Sequence, residues 1–175
     1  YIGTMAGSYD LETVLRAAPL CNEQVEIQII GTGPHELHLK NLNQQLGNHV
    51  TFLGTKNYLD AMQILCHSDV AINPIVATAQ QSITNKLSDY FCCGLPILSC
   101  QENKEVKELL ALGGGKDYTA GDHRALADNL LSMAGNRIEL QQMANINKKI
   151  AEERFLRKTA YTSILVLISR LLCES

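Results

Sequence analysis

Apolar positions along the chain follow two alternating rhythms. Short, densely apolar runs occupy residues 25–30, 50–53, 70–74 and 97–98, the first three closed by Gly31, Gly54 and Asn73-Pro74. Runs of that length bounded by turn residues read as strands. Between them, apolar residues recur every three or four positions, as at Leu11, Val14, Leu15 and Ala18, and later at Val106, Leu109 and Leu110. This spacing predicts helices over 10–18, 34–46, 59–66, 102–112, 125–133 and 138–153, with Asp10 and Asp122 as caps. A further stripe, Tyr161, Ile164, Leu165, Ile168, Leu171 and Leu172, predicts a helical tail, and Asp117-Tyr118 reads as a last short strand.

Strands that alternate with helices imply right-handed crossovers, hence an α/β fold with a parallel sheet covered by helices on both faces. Such sheets bind ligands outside the carboxyl ends of their strands. The loops 3–8, 31–34, 54–58 and 73–84 each follow a strand and are expected to line one rim. Tyr1-Ile2 reads as the end of a strand, so an upstream domain is expected before this chain.

The stretch 80–100, QQSITNKLSDYFCCGLPILSC, stands at the centre of that rim. Ser82 and Thr84 can cap a helix whose Lys86 and Asp89, three apart, share one side while Leu87, Tyr90 and Phe91 face the core. Gly94 ends the helix and Pro96 opens the next strand. Lys86 in a first turn sits against the positive end of the helix dipole. It is either a solvated cation or the counter-charge of an anionic ligand. Asp89 is either an exposed acid or an acceptor for ligand hydroxyls, for which a ribose diol is suited.

Composition narrows the classes. The chain has 175 residues, 46% hydrophobic and 19% charged, which fits one globular domain. The net charge of −3, without a basic cluster, argues against nucleic acid as a partner. No apolar run approaches the ~18 residues of a membrane span. The six cysteines form no CxxC or metal spacing and read as reduced, mostly buried small residues of a cytoplasmic protein. Gly31-Thr32-Gly33-Pro34 falls short of a dinucleotide fingerprint, because Glu36 stands where the third glycine belongs. His35 and His38 lack further ligands at metal spacing, and no metal is expected.

Taken together, Tyr1-Ile2-Gly3-Thr4, Tyr9-Asp10-Leu11, Ile29-Ile30-Gly31-Thr32-Gly33-Pro34, Val50 to Gly54, Ser68-Asp69-Val70, Asn85-Lys86-Leu87-Ser88-Asp89-Tyr90 and Cys93-Gly94-Leu95-Pro96-Ile97 resemble the C-terminal domain of a family 4 retaining glycosyltransferase. The resemblance runs over nearly the whole chain. It implies the C-terminal, Rossmann-like half of a GT-B enzyme, with residues 1–175 as the donor-binding domain and an acceptor domain upstream. It also implies site residues. Asp89 would bind the ribose. Gln81, where the family usually has Glu, would meet the donor sugar. Ser82, Ile83 and Thr84 would offer amides to diphosphate and sugar, Gly3 and Thr4 would face the phosphates, Gly31 and Gly33 would allow a second close approach, and the backbone around Tyr58 would hold the base.

Two departures stand out. Gln81 carries no charge, and the first loop lacks the family's Arg and Lys, so Lys86 is expected to supply part of that charge. Catalytic groups are expected mainly in the upstream domain, with Gln81 and Lys86 assisting. The donor would be a UDP- or GDP-linked sugar, with no further cofactor. The acceptor would be a glycan or lipid-linked glycan in surface or capsular polysaccharide synthesis. The resemblance also suggests self-association through the tail helix and a cytoplasmic location, peripheral to the inner face of the membrane. A non-hydrolysing sugar-nucleotide 2-epimerase half and a non-catalytic regulatory α/β module are the alternatives.

Overall fold

The structure is a computed structural model and describes residues 1–76, 78–79 and 83–156. Gln81, Ser82 and the tail stripe at 161–172 lie outside the described residues. In chain order the elements are α1 (Leu11–Ala17), a 3-10 segment (Ala18–Gln24), β1 (Ile27–Ile30), α2 (Glu36–Gln45), β2 (Val50–Gly54), α3 (Tyr58–Cys66), β3 (Ala71–Asn73) and α4 (Asn85–Cys92). There follow β4 (Ile97–Ser99), α5 (Lys104–Leu109), a π-helical turn (Leu110–Gly114), β5 (Gly115–Asp117), α6 (His123–Ala134), α7 (Arg137–Ile150) and a second π-helical turn (Ala151–Phe155).

Every strand pair is parallel: β1 with β2, and β3 with β4 and β5 in that order. The start of the chain extends the first pair, since Ile30 N donates to Tyr1 O at 2.8 Å and Gly3 N to Ile30 O at 2.9 Å. A side chain joins this edge to the second sheet. The buried Tyr90 hydroxyl accepts from Ile2 N at 3.2 Å and lies 3.4 Å from Ile72 O of β3, to which it donates.

Helices cover the strands on both faces, and the apolar positions divide accordingly. One core cluster joins Met5, Leu11, Leu15, Ile29, Leu39, Leu126 and Leu130, from the first loop, α1, β1, α2 and α6. The other joins Leu65, Leu87, Tyr90, Phe91, Ile97, Val106 and Leu109, from α3, α4, β4 and α5. At eight residues, α4 is too short to be stable alone in water. Its fully buried Leu87, Tyr90 and Phe91 hold it to the sheet, each burial contributing about 1.5–3 kcal/mol.

Some expectations change. Asp10 occupies the N-cap position of α1 but makes no cap bond; its carboxylate accepts from Gly121 N at 2.7 Å instead. Asp122 does cap α6, accepting from Ala125 N at 2.9 Å. Among the described residues the cysteines are not mostly buried: Cys21 and Cys100 are, but Cys66 and Cys92 are exposed and Cys93 is half-buried. Cys66, Cys92 and Cys93 all fall at the carboxyl ends of α3 and α4, which composition does not reveal. Among the described residues no helix is long and apolar enough to cross a membrane.

Candidate active site

The first loop and the turn after β1 meet backbone to backbone. Met5 N donates to Thr32 O at 3.0 Å, and His35 N to Met5 O at 2.9 Å. A Cβ on Gly31 would lie 2.1 Å from Gly3 O, and one on Gly33 would lie 2.4 Å from Met5 O. The two glycines thus let the loops close on each other, and the space a side chain would need is already filled by protein backbone.

Lys86 leaves the first turn of α4 and runs into this first loop. Its ammonium lies 3.5 Å from the centre of the Tyr9 ring and 4.5 Å from that of Tyr1, and it donates to the Tyr1 hydroxyl at 3.1 Å. That hydroxyl donates in turn to Thr4 O at 2.8 Å. The ammonium also borders Gly3, where a Cβ would come within 2.8 Å of it. Burial lowers the Lys86 pKa to about 7, while the two negative ring faces favour the charged form and offset part of that cost. Among the described residues Lys86 makes no salt bridge, and the loop it borders contains no Lys or Arg.

One turn further along α4, half-buried Asp89 faces α3. Its Oδ1 accepts a 3.1 Å hydrogen bond from the exposed Tyr58 hydroxyl. Burial raises the Asp89 pKa, and the bond from Tyr58 opposes that rise. Asn57 caps α3 by accepting from Asp60 N, which fixes where Tyr58 enters the helix. Thr84 holds the N-cap position of α4 without a cap bond, and its buried Oγ1 finds no partner among the described residues. Ile83 is half-buried against the second core cluster.

Thus Lys86 meets Gly3 directly and Thr4 through the Tyr1 hydroxyl, Thr84 stands at the N-cap of the same helix, and Asp89 is joined to Tyr58 of α3. Gly31 and Gly33 stand behind the first loop. Gln81 and Ser82 lie outside the described residues. Tyr1 and Tyr9 were missed as parts of this arrangement, because nothing local in a sequence says that two tyrosines will meet a lysine some eighty residues away. His35 and His38 do not form a pair, since His38 Nε2 meets Glu12 Oε1 at 2.8 Å. A cavity of about 570 Å³ shares Tyr1 with this arrangement but lies toward the amino ends of β1 and β3, where Glu26, Gln28, Asp69 and Val70 line it. Ligands of such sheets bind at the opposite ends of the strands.

Residues 1–136 match the family model described as glycosyl transferases group 1. The chain belongs to that family. Its fold is the Rossmann-like α/β fold of GT-B glycosyltransferase domains, as solved structures show. One is HepE from Anabaena, solved with UDP, 22% identical with a TM-score of 0.80 over 97% of this chain and 48% of that one. Another is the catalytic domain of cholesterol-α-glucosyltransferase from Helicobacter pylori, 18% identical with a TM-score of 0.73 over 87% of this chain and 95% of that one. A third is WaaG, a glycosyltransferase involved in lipopolysaccharide biosynthesis, 15% identical with a TM-score of 0.73 over 92% of this chain and 44% of that one. The chain thus spans about half the length of HepE. No curated protein sequence matches it. Membership in a glycosyltransferase family does not favour the epimerase or the regulatory-module reading.

Proposed function

We propose that this glycosyltransferase domain binds the nucleoside diphosphate of a UDP- or GDP-linked sugar, as the donor half of a retaining family 4 enzyme. The observation that carries the reading is the placement of Lys86 and Asp89 on α4. Residues three apart on a helix stand about 5–6 Å apart at Cβ. Here the cation lies at the Gly3 loop and the carboxylate faces α3. A diphosphate at the first and a ribose diol at the second would match in charge and in hydrogen-bonding type. HepE, with the same fold, has been solved with UDP and with UDP-glucose, which supports the class of ligand.

In this reading the domain's contribution to transfer is electrostatic. As the glycosidic bond to the donor diphosphate breaks, negative charge grows on the leaving phosphate. Lys86 and the amides at the α4 N-terminus would stabilise it. Asp89 fixes the nucleoside and so the position of that bond. The acceptor, a glycan or lipid-linked glycan of a surface polysaccharide, would be bound by a further domain on the cytoplasmic side of a membrane, and the tail at 161–172 would serve contacts between domains or copies.

Calorimetric titration of the chain with UDP and with GDP tests the reading, with Asp89→Asn alongside. Binding of one nucleotide, weakened at least about tenfold by the substitution, is expected from the loss of a charged hydrogen bond of about 1.5–3 kcal/mol. Equal affinity of wild type and variant, or binding of neither nucleotide, would overturn it.

A further inference from the structure

Cys66 and Cys93 come from positions 27 apart in sequence and place their sulfurs 3.0 Å apart. Non-bonded heavy atoms ordinarily touch at about 4 Å, and a disulfide bond is about 2.05 Å long. Cys66 is the last residue of α3 and exposed; Cys93 follows the last residue of α4 and is half-buried. We propose that Cys66 and Cys93 form an oxidisable dithiol, closed into a disulfide by a small disulfide oxidant of the glutathione type, which ties α3 to α4. The other described cysteines are placed differently. Cys21 and Cys100 are buried, with their thiols directed to Ala17 O and Ile75 O. Cys92 is exposed and adjacent in sequence to Cys93, which makes it the natural competitor.

The chemistry balances in two exchanges. Cys66, the exposed member, loses its proton to solvent, and its thiolate attacks one sulfur of the oxidant, releasing one small thiolate and leaving a mixed disulfide. Cys93 then loses its proton and attacks the Cys66 sulfur, releasing the second small thiol as the protein disulfide forms. Two protein thiols are oxidised and one small disulfide is reduced to two thiols. The order follows from the surroundings. Burial, together with the Cys66 thiol beside it, pushes the Cys93 thiol up to about 12, so Cys93 is the poorer first attacker and serves as the resolving thiol.

The bond would close a loop that contains β3 and all of α4. Cys93 lies one turn beyond Asp89, whose backbone oxygen accepts from Cys93 N at 2.9 Å. Apart from the Tyr58–Asp89 hydrogen bond, the disulfide would add a covalent link between the same two helices. Oxidation therefore reduces the freedom of α4 relative to α3 without any new packing.

The test equilibrates the chain with reduced and oxidised glutathione at graded ratios and reads intact mass, peptide maps of the cross-link, and thermal unfolding. Expected is a species lighter by two hydrogens with Cys66 joined to Cys93, present in wild type and in Cys92→Ser, and missing from Cys66→Ser and Cys93→Ser. Its melting temperature should rise by about 5–10 °C, and reductant should reverse the change. Amide exchange in α4 should slow in the oxidised form and return to wild-type reduced rates in Cys93→Ser. Cross-linking through Cys92, glutathione adducts that never resolve, or thiols that stay free at the most oxidising ratio would each overturn the proposal.

Discussion

The ammonium of Lys86 stands 3.5 Å from the centre of the Tyr9 ring and 4.5 Å from that of the Tyr1 ring, and the two rings meet edge to face with their centres 5.8 Å apart. A lysine in the first turn of a helix would ordinarily turn to solvent, away from the positive end of the dipole. Here the side chain lies against two rings beside the Gly3 loop, and its hydrogen bond to Tyr1 ties it to that loop. Burial there costs the charged form solvation, so the protonation of Lys86 is coupled both to folding and to anything anionic that arrives.

The folding side of that coupling has a definite sign. In the unfolded chain Lys86 keeps its proton up to about pH 10.4. In the folded chain burial brings the pKa down to about 7. Between these values the unfolded state binds more protons, so this group makes stability rise with pH, while below about 7 its full penalty is present. Lys86→Met should therefore stabilise the free domain, and by more at pH 7 than at pH 9. Urea unfolding at the two pH values measures the difference. A gain independent of pH would show that Lys86 does not titrate in this range.

The ligand side follows from the proposed function. A bound diphosphate beside Lys86 favours the ammonium and raises its pKa. At pH 8, where the free domain holds Lys86 largely deprotonated, UDP or GDP binding should take up a fraction of a proton. Calorimetry in buffers of different ionisation enthalpy reads this uptake directly. Lys86→Met should remove the uptake and weaken binding, whereas Lys86→Arg, which cannot lose its proton, should remove the uptake alone if the larger group fits beside the rings.

Tyr58 and Asp89 allow a graded test of the same edge. The Tyr58 hydroxyl is exposed, and its bond to Asp89 Oδ1 competes with water. Tyr58→Phe should change stability by less than about 1 kcal/mol. It should also raise the Asp89 pKa further, since the hydrogen bond that opposes the burial effect is lost. A carboxyl titration followed by NMR in wild type and variant checks the direction. Nucleotide affinity should fall far less than in Asp89→Asn, because a ribose diol can replace the missing hydroxyl at the carboxylate.

What the sequence made legible, and what it did not, divides by range. The spacing of Leu87, Tyr90 and Phe91 predicts the buried side of α4, and all three are fully buried, because helix periodicity is local. That Lys86 would lie against both Tyr1 and Tyr9 depends on residues brought together only by the fold. Asp10 shows the same limit. Its type and position mark a helix cap, yet Gly121 N, 111 positions away, takes the carboxylate instead. The glycines at 31 and 33 mark a tight turn in any reading, but only the fold shows that the first loop's own backbone fills the space they leave.

Those two glycines carry a strong mutational expectation. Gly31 has φ +129°, and a Cβ there would fall 2.1 Å from Gly3 O, a backbone atom that cannot move aside alone. Gly31→Ala should destabilise the domain by about 4 kcal/mol or more, in the range reserved for severe backbone conflict. Gly54 is the control: its φ is +66°, and nothing lies within 4 Å of the Cβ position. Gly54→Ala should cost only about 1–2 kcal/mol, the penalty of a left-handed conformation for a residue with a Cβ. Chemical denaturation of the two variants separates steric conflict from conformational preference, and similar losses would refute the close approach of the two loops.

Tyr90 offers the last test, because its hydroxyl does what a strand pairing would otherwise do. It accepts from Ile2 N and donates toward Ile72 O, so it joins the chain start, beside β1, to β3 through a side chain of α4. The ring is fully buried, and burial drives the phenol pKa up, so the hydroxyl stays protonated and able to donate. Tyr90→Phe keeps the ring packing but leaves the half-buried Ile2 amide without its acceptor, which should cost about 1 kcal/mol. Because the lost bond holds the first loop to α4, nucleotide affinity should fall along with stability, and Ile2 should exchange its amide hydrogen faster. If stability fell while Ile2 exchange stayed unchanged, the hydroxyl would matter through packing alone, and the first loop would be held by the Lys86–Tyr1–Thr4 contacts.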